Sequence, residues 1–301
     1  MSDVFVVNED EVNTRIDKYL NVKYPEESRT FIQKLIKDEN ILVNNKPVKS
    51  NYKLRMDDEI SVDIPEPVML DIKPVNIPID IIYEDEDVLI VNKPKDMVVH
   101  PAPGHYEDTL VNAIMYHCKD NLSSINGVLR PGIVHRIDKD TTGALIICKN
   151  DYAHNFIADQ LKTHESNRTY VGIVWGVLKD DEGVINAPIG RHKTNRKLMA
   201  INENGKEAIT HYKVIKRFKK YTYVEFKLET GRTHQIRVHM ASINHPLLGD
   251  EQYNRYPSPY KLQGQCLHAK TIGFIHPRTN EYVEFEAQIP EYMKHLLEIL
   301  D

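Results

Sequence analysis

Cysteine is scarce: Cys118, Cys148 and Cys266 are the only three, widely spaced and in no CxxC pair. Neither a disulfide framework nor a thiolate metal site is suggested, and the three read as buried, reduced small hydrophobes. Long apolar runs are also missing. No stretch approaches the roughly 18 consecutive apolar residues of a membrane span, and residues 1–10 are acidic rather than basic-then-apolar. The expectation is a cytoplasmic protein with no membrane partner. No GxGxxG follows a strand pattern, and there is neither a GxxxxGK[ST] loop nor a GxSxG elbow, so nucleotide-cofactor and serine-hydrolase chemistry lack their carriers. Histidine is plentiful, but His234 and His239 are five apart, which on a helix separates the rings by about 140°; no metal site is expected.

Net positive charge is lacking too. Lys and Arg number 39 against 44 Asp and Glu, a net of -5, which as a whole-chain sum argues against a phosphate-rich partner. The distribution changes that. Residues 1–70 carry net -4, 71–130 -5, 131–240 +7 and 241–301 -3. Residues 191–220 alone hold ten Lys or Arg, Lys219 and Lys220 among them, against Glu203 and Glu207. Such a segment is either a solvated face or a contact for a polyanion.

With 41% hydrophobic and 28% charged residues the composition is globular, and 301 residues predict one large and one small domain. The stretch Ile64-Pro65-Glu66-Pro67, extended by Pro74 and Pro78, marks the boundary, giving domains over 13–70 and 71–301. In the first, Ile16 and Leu20 make one helical stripe; Ser28 is a candidate N-cap, followed by Ile32, Leu35 and Ile36 on a second. Arg15, Arg29 and Lys34 lie off these stripes. Asn44-Asn45-Lys46 has turn composition between short strands. In the second domain, residues 88–91 read as a strand buried on both faces, and Asp108 as the cap of a helix carrying Leu110, Ala113 and Ile114. Residues 133–135 and 144–148 read as strands around a polar loop. Alternation recurs over 169–175, 209–215 and 222–228. With no regular βαβ rhythm, the pattern predicts an α+β fold.

Three clusters carry the chemistry. Pro131 to Gly143 places Asp138 beside cations in a loop between two apolar segments, an arrangement that holds catalytic groups rigidly but also suits a turn cap. Lys139 and Asp140 look like local solvated charges. In Gly231-Arg232-Thr233-His234-Gln235-Ile236-Arg237, Thr233 can cap a helix whose N-terminus, with Arg232 and Arg237, favours anions; an exposed helix start is the plainer alternative. In Arg168-Thr169-Tyr170-Val171-Gly172, alternation leaves Tyr170 on one face with Gly172 and Gly176. A flat ring has room there, or another backbone packs close.

Taken together, Asn92-Lys93-Pro94, His135-Arg136-Ile137-Asp138, Gly231-Arg232-Thr233-His234-Gln235-Ile236-Arg237-Val238-His239, Leu267-His268-Ala269 and Phe274-Ile275-His276-Pro277 resemble the RluA/RluD-type pseudouridine synthases, in the same order and over nearly the whole chain. Residues 13–70 resemble an S4-like RNA-binding domain by a shorter pattern. The resemblance implies a mixed, largely antiparallel central sheet. It also implies isomerisation of uridines in large-subunit (23S) ribosomal RNA, no cofactor, and a monomer. It assigns Asp138 as the essential carboxylate, Tyr170 as the ring packed on uracil, Arg237 as the partner of Asp138, and Arg136 as the side chain that fills the stack after base flipping. RNA contacts are expected from Arg136, Arg232, His234, Arg15, Arg29, Lys34, Lys219 and Lys220. Ile137, Gly172 and Cys266 stand where the family more often has Leu, Ala and Ala, changes conservative in volume. Two other classes share part of the pattern. A noncatalytic S4-containing RNA-binding or ribosome-assembly protein would not need the Asp138, Tyr170 and Arg237 set; a glycosidase would need a second acid.

Overall fold

The computed structural model describes residues 2–25, 27–64, 72–102, 104–119, 121–125 and 130–300. The chain divides into two compact units, Met1–Met69 and Leu70–Asp301. The linker stretch Pro65-Glu66-Pro67 lies outside the described residues.

In the N-terminal unit, strand β1 (Ser2–Val6) precedes helices α1 (Ile16–Lys23) and α2 (Arg29–Lys37), then β2 (Ile41–Val43), β3 (Lys46–Pro47) and β4 (Glu59–Asp63). Helix α2 starts where Ser28 Oγ accepts the Phe31 N–H, at 3.2 Å. Asn44 and Asn45 both take positive φ, 51° and 59°, as a two-residue hairpin turn requires and asparagine tolerates. The antiparallel sheet, ordered β1-β4-β2-β3, packs Ile41, Ile60 and Val62 on Ile16, Leu20, Ile32 and Ile36 of the helices.

The larger unit runs β5 (Asp80–Glu84), β6 (Val88–Lys93), α3 (Leu110–Cys118), β7 (Thr142–Cys148), α4 (Asp151–Thr163), β8 (Asn167–Trp175), β9 (Glu182–Asn186), β10 (Ile189–Arg191), β11 (Met199–Ile201), β12 (Ile209–Arg217), β13 (Tyr221–Leu228), α5 (Gln235–Ser242), β14 (Leu267–Ile275), β15 (Tyr282–Glu286) and α6 (Glu291–Ile299). One nine-stranded sheet carries it, ordered β5-β6-β7-β14-β8-β13-β12-β9 with β15 beside β14. Every pairing is antiparallel except the short one between β7 and β14, so the fold is α+β with a mixed, largely antiparallel sheet. Both faces are covered. On β6, Leu89 and Val91 join the core that holds α3, while Val88 and Ile90 pack against Ala153 and Ile157 of α4, which is why that strand reads as an unbroken apolar run. On β8, Tyr170 and Val174 face one core and Val171 and Ile173 the other, with Met293 and Leu296 of α6. The β7 and β14 backbones cross closely at Gly143. A Cβ at this residue (φ +115°) would run into the Ala269 backbone.

Three local expectations change. Residues 133–135 form no strand: Ile133 makes a single bridge to Ile147, and the His135 ring takes over as acceptor, its Nε2 receiving the Ile146 N–H at 3.0 Å. Burial, reinforced by Arg168, pushes the His135 pKa down to about 3, which keeps that nitrogen free to accept. Thr109, not Asp108, caps α3, because Asn112 returns the bond to the Thr109 N–H while Asp108 turns to His105. Helix α5 begins two residues after Thr233. His234 occupies the N-cap at φ +57° without a side-chain cap bond, and the Gln235 amide closes the turn by accepting from Arg232 N–H and Thr230 Oγ.

Candidate active site

Asp138 lies in the turn that enters β7. Buried Ile137 anchors the turn, and the Thr141 N–H bonds the Asp138 carbonyl at 3.1 Å. A second anchor comes from the end of β6. Lys93 is fully buried, and its ammonium donates to the carbonyls of Pro94, Met97 and Lys139 at 2.7, 2.8 and 2.9 Å. Three acceptors use all three ammonium hydrogens. Burial pushes the Lys93 pKa down to about 7 against the pull of Asp140 and then Asp138. Lys139 is paired with Asp96 on the surface, but Asp140 is not simply solvated: burial raises its pKa, against Lys95 and Lys139.

The Asp138 carboxylate, 17% exposed, accepts from Arg237 Nη1 at 3.0 Å. Arg237 sits on the first turn of α5, and three of its other N–H groups are committed elsewhere. Nε and Nη2 grip the buried Asp250 at 2.7 and 3.0 Å, and Nη2 also reaches Gln252 Oε1 at 2.8 Å. Asp250 is fixed in turn by the N–H groups of Gln252 and Tyr253. Burial alone would lower the Arg237 pKa, but Asp250 and then Asp138 outweigh it and raise the value. A planar fork that binds a buried carboxylate bidentately has one direction left to point, and that direction is Asp138.

His234 approaches the other carboxylate oxygen, with Nε2 3.8 Å from Asp138 Oδ1. Its Nδ1 is 2.8 Å from the Tyr253 hydroxyl, which itself receives the Met199 N–H at 2.9 Å. When the hydroxyl donates to Nδ1, the ring's Nε2–H faces Asp138. Burial lowers the His234 pKa, outweighing Asp138, so the ring is neutral near pH 7. His239 is engaged separately by Thr210 and the Ala187 carbonyl. Among the described residues, Asp85, Asp87 and His276 do bring ligand-type atoms within 4.8 Å of one another. They are already occupied: Asp87 by Arg278, Asp85 by two backbone N–H groups, and His276 by Asp85.

Tyr170, 8% exposed on β8, lies between Phe226 of β13 and Ala269 of β14. Burial raises its hydroxyl pKa, so the phenol stays neutral. The glycines do not open a seat beside the ring. A Cβ at Gly172 would meet the Cys266 carbonyl at 2.9 Å, and one at Gly176 the His245 ring at 2.9 Å; of the two sequence alternatives, close packing is the one observed. The open space is a cleft in which Arg136, Asp138, Tyr170, Arg232, His234 and Arg237 come together against Ile137, Leu228 and Leu267. Asp138 is the one carboxylate among the described lining residues. Exposed Arg136 rests with Nη1 3.2 Å from His100 Nε2.

Lys219 and Lys220 are exposed in the turn before β13, at the opposite end of that strand from the cleft, about 25 Å away at strand rise. Arg15, Arg29 and Lys34 belong to the N-terminal unit. Lys34 is exposed, whereas Arg15 and Arg29 both bind the buried Asp17 carboxylate, at 3.0 and 2.8 Å, as does Gln33. Sequence reasoning missed Asp250, Gln252, Tyr253 and the positioning role of Lys93. The available signal was Leu247-Leu248-Gly249-Asp250, an acid directly after a glycine that turns at φ +79°.

Comparison with known proteins bears on the family and the fold. Residues 14–60 match the S4 domain. An uncharacterized RNA pseudouridine synthase of Bacillus subtilis is 52% identical over 97% of this chain and 96% of its own. The ribosomal large subunit pseudouridine synthase D of Zymomonas mobilis is 48% identical over 83% of this chain and 81% of its own, and that of Escherichia coli K12 38% identical over 98% and 93%. In fold, the chain is similar to human RNA pseudouridylate synthase domain containing 4 (TM-score 0.59, 22% identity, 73% of this chain and 92% of that one) and domain containing 1 (TM-score 0.57, 23% identity, 78% and 97%). Residues 87–242 match the family described as RNA pseudouridylate synthase, just over half of the chain, and the protein belongs to that family.

Proposed function

We propose that the protein isomerises specific uridines of large-subunit ribosomal RNA to pseudouridine, with Asp138 as its essential carboxylate and no cofactor. The observation that carries this is the Asp138 carboxylate held by Arg237 in a cleft walled by Tyr170. The reaction breaks the bond from ribose C1′ to N1 of uracil, forms one from C1′ to C5, and exchanges the C5 proton for one on N1. No redox or phosphoryl step is involved. An ionised Asp138 can begin it by attack on C1′, by attack on the base, or by removing the C2′ proton. Arg237 gives that carboxylate a fixed hydrogen-bonding cation when substrate displaces water.

The uridine must leave the stack to reach the cleft. Flipping costs a few kcal/mol, and packing on Tyr170 returns about 1–3 kcal/mol; Arg136, swinging off His100 into the vacated stack, supplies further compensation. Residues 13–70 act as the RNA-binding domain and 71–301 as the catalytic domain, working as a monomer in the cytoplasm. No helix among the described residues is long and apolar enough to cross a membrane. The large-subunit address rests on the names of the Z. mobilis and E. coli relatives. A single lining carboxylate argues against a two-acid glycosidase. Tritium release from C5-labelled rRNA transcript, followed by chemical mapping, tests the reading. Wild type should form pseudouridine, and Asp138→Asn should bind RNA without forming any. Product from the variant would remove Asp138 from the mechanism, and a wild type that binds RNA inertly would make this an RNA-binding protein without activity.

A further inference from the structure

Arg168 precedes Tyr170 by two positions on β8 and so shares its strand face, about 7 Å away. It is only 7% exposed, yet among the described residues no carboxylate lies within ion-pair distance. Its Nη2 donates to the Glu229 carbonyl at 3.2 Å, and its buried Nε has no partner. The Glu229 carboxylate is turned away to His211. A second guanidinium, Arg232, acts on Arg168 with like charge. Arg232 lines the cleft and spends its Nε on the Glu207 carbonyl. Between the two lies Gly231, which is exposed; a Cβ on it would stand 2.7 Å from Arg168 Nη1. Any side chain at this position would crowd that nitrogen.

A buried cation with no counter-charge is costly, and the Glu229 carbonyl does not require one, since any N–H donor would satisfy it. Two guanidiniums close enough to repel, one of them lining the substrate cleft and neither paired with a carboxylate among the described residues, call for an anion. We propose that Arg168, reached past Gly231, and Arg232 form the seat for one phosphate flanking the flipped uridine, fixing the nucleotide by its backbone while Tyr170 holds its base. This rests on the reading of the cleft as the uridine site.

The test uses the full-length protein, an rRNA hairpin carrying the uridine that wild type modifies, and the same hairpin with one neutral methylphosphonate on either side of it. Arg168→Met should keep or raise the melting temperature and raise KM at least tenfold. It should also flatten the salt slope of binding by about 0.7–0.9, the contribution of one phosphate. One methylphosphonate should cost wild type as much as the substitution does, and the two losses should not add. Arg168→Lys should recover part of the affinity. If Arg168→Met lowers the melting temperature while KM and salt slope stay as in wild type, the residue is a structural tie and the seat is refuted. Additive losses refute it as well. Should Arg168→Met fail to fold, Gly231→Ala carries the test: its Cβ must displace Nη1, so the same rise in KM is expected at wild-type stability, and an unchanged KM overturns the proposal. Failure of the function itself reads differently, as no pseudouridine made by wild type on any large-subunit transcript.

Discussion

Removing the charge from each of the two carboxylates that share Arg237 should have opposite consequences for stability and catalysis. Asp250 is fully buried, makes two bonds to the guanidinium and accepts two backbone N–H groups. In Asp250→Asn the amide must set an N–H against a guanidinium N–H, so one buried charged bond is lost and a donor is stranded. Breaking a buried pair from one side costs about 3–5 kcal/mol, and at about 2–4 °C per kcal/mol for a unit of this size the melting temperature should fall by roughly 10 °C. Asp138 makes one bond and keeps contact with solvent. Asp138→Asn should cost about 1 kcal/mol, a few degrees. Turnover should run the other way: none for Asp138→Asn, and a reduced but measurable rate for Asp250→Asn below its melting temperature, because Arg237 is then loosely aimed rather than absent. Calorimetry and tritium release on the same preparations give both numbers. Equal destabilisation by the two substitutions would refute the division, leaving Asp138 as another structural ligand of Arg237.

Acid should act on the N-terminal unit through Asp17. Burial would raise its pKa, but Arg15, Gln33 and Arg29 outweigh it and hold the value at about 2 against an ordinary 3.8. The folded value is depressed, so the contribution of about 2 kcal/mol is present above pH 4 and lost as pH falls from there towards 2. Urea unfolding of the full chain at pH 6 and pH 3 should show about 1 kcal/mol of it, and Asp17→Asn should shrink the pH difference by that amount. Gly143→Ala should cost about 3 kcal/mol or more, because the new methyl meets the Ala269 backbone at a positive φ; an unchanged melting temperature would contradict the close β7–β14 crossing. Neutralising Lys219 and Lys220 to Gln should flatten the salt dependence of RNA binding and raise KM without lowering kcat, since both lie a strand's length from the cleft. A fall in kcat at saturating RNA would show that reasoning to be wrong.

Local periodicity made most strands and helices legible. The double burial of β6 and the facing of Tyr170 on β8 follow from which residues are apolar at which spacing. Errors came where a side chain replaced a backbone partner. His135 accepts a strand N–H, Gln235 closes the turn that Thr233 was expected to cap, and Asn112 makes Thr109 a better cap than Asp108. Asp138, Tyr170 and Arg237 stood out through family motifs. Asp250 and Lys93 did not, because one is a lone acid in a loop and the other a lysine in a strand. Only the fold reveals that their partners are a guanidinium thirteen positions back and a carbonyl forty-six positions on. Likewise, no local pattern says that Arg168 is buried without a carboxylate.

The place of β14 in the sheet bears on how the protein is made. It is the link between two sheet segments, β5-β6-β7 and β8-β13-β12-β9, and it is translated after both. Asp138 leads into the first segment, Tyr170 lies on β8 in the second, and Arg237 follows that segment's β13 on α5. During synthesis, β7 and β8 emerge with their inner edges unpaired. At about 5–20 residues per second, roughly 5–20 s pass before β14 follows β8. A nascent or C-terminally truncated chain therefore presents two open apolar strand edges and no assembled cleft. RNA modification is expected only after β14 has been made and paired, and any chaperone that meets this protein on the ribosome should meet it at those two edges.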